Sequence, residues 1–394
     1  ELGLFVSFDG GANWQPLQNN LPTSPIYDMV VAHSLTGTDL VIATHGRSFW
    51  ILDDLTQLHQ MHDALLAAGA HLFKPHDAVR TPPDLFADFW GSLGGKNYHV
   101  TIGQNATFYL EEAETGHQTK RVIDAGSDLI PGVRVTYWLK SRPESPVVLT
   151  FVDDKTGAAV ISFTSDIPED KDDRIGLYCT ADEGMNSFQW PMRYPQGLKM
   201  DDTDYHGPPK GPLVPPGRYR VQLTVGGDTF SETFELLRHP LVDTSDEAFA
   251  EQRDLLLAIR NKGTEVVAAV NTIRRMRKQL TAAGERAGAT DAHREAIGAV
   301  AEKLGSIENE LVNPELTSAG DSLNHPPRLF ETLMDLEPVV SSADTRPTAA
   351  SYSVFNKLSS LIDPQLAALE STVASDVDDL NRQLGAAGIS IIGA

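Results

Sequence analysis

The stretch SFDGGANW, Ser7 to Trp14, decides how the start of the chain folds. Just before it, GLFVSFD places Leu4, Val6 and Phe8 on one side of an extended segment, because side chains alternate across a strand. The run DGGANW then gathers an Asp, two glycines and an Asn ahead of a bulky aromatic, which is the pattern of strand, tight turn and strand. Aspartate accepts backbone N–H groups two residues on, and glycine reaches positive φ at no steric cost. Asp9, Gly10 and Gly11 therefore suit a folded-over turn with Trp14 closing beneath it. The Asp9 carboxylate is expected to serve that turn rather than chemistry.

Outward from this turn, residues 1–58 read as short strands, GLFVSFD, WQPL, IYDMVVA, DLVIATH and SFWILDD, joined by GGAN, NNLPTSP, HSLTGT and GR. Such strands make about one propeller blade plus a fragment. In DLVIATH, Leu40 and Ile42 oppose Val41 and Ala43, so both faces are apolar and both want cover. Ser7, Asp9, Gly11 and Trp14 fill every fixed position of the Ser-x-Asp-x-Gly-x-x-Trp pattern. The stretch thus resembles the Asp box of bacterial neuraminidase (BNR) repeats, a structural turn on the outer rim of a β-propeller blade. Together with DLVIATHGRSFWILDDL, Asp39 to Leu55, it resembles the closing blade of bacterial sortilin-like repeat propellers, proteins that often carry a glycosyl hydrolase label.

Composition bounds the function. Lys and Arg total 32 against 54 Asp and Glu in 394 residues, a formal net charge of −22, which opposes binding to nucleic acid because that affinity rests on neutralising phosphates. No stretch approaches the roughly 20 apolar residues of a membrane-spanning helix, and 41% hydrophobic content suits a soluble globular chain. The lone cysteine, Cys179, excludes an internal disulfide and reads as a buried strand residue in GLYCTADEG. The chain starts inside an apparent blade with no export signal in view, so the expectation is the C-terminal portion of a longer exported protein, secreted or periplasmic.

Residues 59–130 read as a linker and crossing segment, with a short helical pattern in QMHDALLAAGAHLFKPHD and the Pro- and aromatic-rich TPPDLFADFWGSLGG. Residues 131–238 alternate again through six or seven strands and predict an antiparallel β-sandwich. GMNSFQWPMRYP followed by PPGRYRVQLTV resembles the Ig-like domain that follows these propellers, which implies core and corner roles for Trp190 and Tyr219. The acidic, Pro-rich loop Lys199 to Pro212 is the candidate functional loop of that domain. Residues 239–394 turn helical: Phe249, Leu256, Ile259, Val266, Val270, Ile273 and Met276 recur at threes and fours. Three more helices follow, with breaks expected at Pro314, Pro326–Pro327, Pro338, Pro347 and Pro364, and the apolar terminal ISIIGA should dock on a neighbouring surface. DSLNHPPRLFETL with SSADTRPTAASYSVFNKL resembles the tail of the same protein group. The predicted fold class is therefore multidomain β plus α: a last propeller blade, an Ig-like sandwich and a helical bundle.

Catalytic patterns are sparse. Glycoside hydrolysis needs two carboxylates facing one sugar, whereas Asp53 and Asp54 are adjacent and point to opposite faces of a strand. No HExxH, Ca²⁺ loop, Gly-x-Ser-x-Gly or Walker pattern occurs, and no cofactor or metal is implied. The basic run IRRMRKQL, Ile273 to Leu280, reads as a solvated helix end. His45 and Arg47 in ATHGRSFW are the candidate ligand-binding pair, since a turn between inner blade strands can face the central funnel and an Arg there suits an anion; bonding to a neighbouring blade's backbone is the competing role. The resemblance implies a non-catalytic binding or scaffolding portion of a propeller protein, completed by upstream blades or a second polypeptide, with a protein, peptide or carbohydrate ligand. The alternative it leaves open is a sialidase- or xyloglucanase-like glycoside hydrolase whose catalytic acids lie upstream.

Overall fold

The computed structural model describes residues 3–81, 93–101, 104–123, 131–171, 174–203, 205–286, 289–389 and 392–393. The protein is mixed β and α, with several sheets and a run of C-terminal helices. Two compact units emerge, one from Glu1–Arg193 and Pro215–Asp243, the other from Tyr194–Val214 and Thr244–Ala394.

The first unit begins with a hairpin of β1 (Phe5–Val6) and β2 (Gln15–Pro16), then an antiparallel meander of β3 (Ile26–His33), β4 (Thr38–Thr44) and β5 (Phe49–Leu52). Two short helices follow, α1 (Thr56–Gln60) and α2 (Asp63–Ala67). The segment expected to be a linker supplies strands instead: β6 (Ala70–Leu72), β7 (Ala78–Val79) and a three-stranded meander of β8 (Lys96–Thr101), β9 (Gln104–Glu112) and β10 (Gln118–Val122). Most of the Pro-rich stretch 81–95 lies outside the described residues.

Where six or seven strands were expected in 131–238, the described residues hold six: β11 (Val133–Leu139), β12 (Val148–Asp153), β13 (Ala159–Thr164), β14 (Gly184–Trp190), β15 (Gly217–Val225) and β16 (Asp228–Leu237). They form two sheets, ordered β14-β11-β6 and β13-β12-β15-β16-β7, so the two shortest strands complete each sheet at an edge. Alternation places Val133, Val135, Tyr137 and Leu139 of β11 in the core. The sheets meet through rings: Trp190 of β14 stacks on Phe151 of β12 at 4.2 Å between centroids, and Phe188 lies 4.5 Å from Phe163. Such aromatic pairs contribute about 0.5–1.5 kcal/mol each beyond their buried area. Cys179 is buried but lies outside the strands, its Sγ 3.5 Å from the Val147 carbonyl. Burial pushes its thiol up to about 11, where it is a poor nucleophile.

The second unit is built on α3 (Asp246–Gly284), whose N-cap Ser245 accepts the Ala248 N–H. Then come α4 (Asp291–Leu311), α5 (Leu329–Met334), α6 (Leu336–Ser341), α7 (Ala349–Thr372) and α8 (Asp378–Ala386). The third helix expected from the sequence is two short ones meeting at Asp335. Pro338 and Pro364 do not break the chain as expected: each sits inside a helix, and the fully buried Ile362 and the buried Leu369 hold α7 on the core across Pro364. A proline removes one backbone donor, and packing on both sides outweighs that loss here. A π-helical stretch, Val373–Val377, links α7 to α8.

Chain order assigned the loop from Lys199 to Pro212 to the β region, yet it belongs to the helical unit. Met200 enters the helical core, and the Asn271 side chain on α3 accepts the Asp201 N–H at 2.9 Å and donates to the Lys199 carbonyl at 3.0 Å. Gly263 of α3 permits a close approach, since a Cβ there would lie 2.6 Å from Met334 Cε and 3.1 Å from Pro209 Cγ. The basic run is not a solvated helix end either: Arg274 and Arg277 both bind the buried Glu308 of α4, at 2.7 and 2.8 Å. In the terminal segment, Ile389 and Ile392 are buried in the helical core and the Asn381 amide clasps the Ile392 backbone; Ser390, Ile391 and Ala394 lie outside the described residues.

Candidate interaction surface

The turn after β1 has the hydrogen bonds its residues call for. Asp9 accepts the Asn13 N–H at 2.9 Å, the Asn13 side-chain amide at 2.6 Å and the Ser7 hydroxyl at 2.8 Å, while Ser7 Oγ accepts the Gly11 N–H at 2.7 Å. Gly10 and Gly11 take φ of 72° and 94°. The Asn13 backbone donor, helped by the Asn13 and Ser7 side chains, holds the Asp9 carboxyl down at about 2. Trp14 donates its indole N–H to the Gly11 carbonyl at 3.1 Å, but its ring is exposed rather than folded beneath the turn.

The β3–β5 register sorts the sheet into two faces. Val30 lies opposite Val41 and Val41 opposite Ile51, while Ala43 lies opposite Phe49, so these five residues share one face. Val30, Phe49 and Ile51 are all exposed, Phe49 to 74%. The other face carries Ile42, which is buried with Leu4 and Leu21, yet Met29 and Val31 at the β3 edge remain exposed. An apolar sheet left open on one face and partly open on the other is a candidate interaction surface.

His45 and Arg47 sit at the end of this sheet, both exposed. The His45 backbone is fixed on both sides, its N–H donating to the Pro25 carbonyl at 2.9 Å and its carbonyl accepting the Ser24 hydroxyl at 2.9 Å. Its ring lies 4.9 Å from that of Tyr27, itself exposed. The Arg47 carbonyl accepts the Trp50 indole N–H at 2.8 Å, and its guanidinium makes only a long contact of 3.4 Å to the Gly46 carbonyl among the described residues. Tyr27, His45, Arg47 and Phe49 thus gather aromatic and cationic side chains of the kinds that dominate binding interfaces at one end of the sheet.

Asp53 and Asp54 lie past the end of β5 rather than within a strand, so strand alternation does not set their directions, and Asp54 takes a positive φ of 64°. Asp54 bonds the Thr56 N–H at 2.9 Å and the Gln57 amide at 2.8 Å, with His76 Nε2 at 3.4 Å. Burial works to raise its pKa, but these partners outweigh it and keep Asp54 ionised. Asp53 is raised, by burial first and then by the nearby Asp39. The apolar surface residues Val30, Phe49 and Ile51 were not singled out from the sequence, although the two-sided apolar pattern of β4 pointed to them.

No family model matches the chain, and no curated protein matches it. Among solved structures, a chain described as pT26-6p aligns at 11% identity and a TM-score of 0.13, over 64% of this chain and 46% of its own. The chain thus spans less than half the length of that protein, and a likeness this slight carries no argument.

Proposed function

We propose that β1–β5 form a terminal β-propeller blade, and that the chain is a non-catalytic binding or scaffolding portion of an exported propeller protein of the sortilin-like, BNR-repeat type. The observation that carries this proposal is the open Val30–Val41–Ile51 face. Propeller blades bury such faces against one another, so preceding blades or a second polypeptide would supply the cover. The Ser7–Asp9–Gly11–Trp14 turn supports the repeat type. The two sheets around Trp190, with the Tyr219 hydroxyl donating to the Pro215 carbonyl at 2.8 Å, support an Ig-like sandwich after the blade. His45 and Arg47 would lie at the blade end where a ligand is held. Asp54 is fully engaged in its turn and gives the hydrolase alternative no support. A structure of the assembled protein tests the proposal: a second sheet packed about 10 Å from the β3–β5 face supports it, and that face open to solvent in the assembly overturns it.

A further inference from the structure

We propose that the cleft between the β1–β2 hairpin and the α1–α2 corner binds a neutral, hydroxyl-rich ligand, an oligosaccharide in chemical class. The cleft encloses about 710 Å³, within the size range of small-molecule sites, and Phe8, Asp9 and Gln15 on one side face Met61 and His62 on the other. It lies entirely in the first unit and stands whether or not β1–β5 form a propeller blade.

The chemistry follows from what the local folding leaves open. His62 caps α2 by accepting the Leu65 N–H on Nδ1 at 3.1 Å, so its neutral ring carries the proton on Nε2, a fixed donor. Asp9 Oδ1 already accepts two hydrogen bonds and Oδ2 one, which leaves Oδ2 with accepting capacity. Gln15 makes no side-chain hydrogen bond among the described residues, so both its amide donor and its acceptor are available. A donor, an acceptor and an amide that is both complement hydroxyl groups, each of which donates and accepts. Phe8, 47% exposed, supplies a ring for the apolar face of a sugar, beside the thioether of Met61. The ionised Asp9 in a chain of net charge −22 disfavours anions. A cation would meet a single carboxylate already carrying three hydrogen bonds, next to the His62 N–H.

Isothermal titration of the full chain with cellohexaose, maltohexaose, chitohexaose and, as an anionic control, hexagalacturonate tests the site. At least one neutral probe should bind, and Phe8→Ala should weaken it roughly tenfold. Gln15→Ala, which removes an amide with no partner among the described residues, should weaken it as well without shifting the melting temperature. The inference is overturned if no neutral probe binds, if binding survives both substitutions unchanged, or if hexagalacturonate binds as tightly as the neutral probes.

Discussion

His206 Nε2 lies 2.7 Å from Glu331 Oε1, and both side chains are buried in the helical unit. The same carboxylate accepts the Asn313 N–H at 3.1 Å and the Arg328 N–H at 2.8 Å, so one group ties the 194–214 loop, the end of α4 and the start of α5 together. Burial tends to raise its pKa, but His206 and the two backbone donors outweigh that and lower it. A carboxyl depressed in the folded state stabilises fully above its unfolded pKa and loses that contribution as pH falls through the folded value. Glu331→Ala should cost about 2–4 kcal/mol by leaving His206 and the Asn313 N–H unmatched in buried positions and the Arg328 N–H in a half-buried one. Between pH 5 and 3 the wild type should lose stability more steeply than Glu331→Gln; parallel denaturation profiles would contradict this.

Asp9 obeys the same sign. Its carboxyl is held down at about 2, so its support for the turn is present above the ordinary carboxylate range and fades on acidification toward that value. Trp14, bonded to the turn, is the reporter. Its emission should change between pH 4 and 2 in the wild type, and Asp9→Ala should show that change already at neutral pH.

Two glycines should respond in opposite measure to alanine. A Cβ at Gly211 would lie 1.8 Å from the Tyr194 carbonyl oxygen, so the backbone must move, at a cost of about 3 kcal/mol. At Gly10 the space is open and only the φ of 72° resists, which costs about 1 kcal/mol. Chemical denaturation of the two variants measures the difference directly.

Cys179, buried with its thiol raised to about 11, should react with a disulfide reagent only at the rate of unfolding. Rapid labelling of the native protein would contradict this and make Cys179 a candidate nucleophile.

Local bonds made parts of the protein legible in the sequence. The Asp9 turn closes within a few residues, the spacing from Phe249 to Met276 marks α3, and the alternation in 131–238 marks six strands. Contacts between distant segments were not legible. β6 and β7 are too short to show a period, and β8–β10, with strands such as KNYHVT and QTKRV, are too polar to read as sheet. The 194–214 loop is fixed by Asn271 and Glu331, residues far along the chain that no local pattern connects to it. The cleft was not legible for the same reason, because His62, which caps α2, comes to Phe8 and Gln15 from a separate segment of the chain.

The claim that the β3–β5 face awaits cover is tested most directly by comparing the wild type with Phe49→Ser/Ile51→Ser. Both residues are exposed, so the substitutions should leave circular dichroism unchanged and folding stability within about 0.5 kcal/mol. The account predicts that the wild-type chain binds an apolar dye such as anilinonaphthalene sulfonate and sediments as concentration-dependent species, and that the double variant binds markedly less dye and sediments as a monomer. Equal dye binding and monomeric sedimentation of both proteins would contradict it.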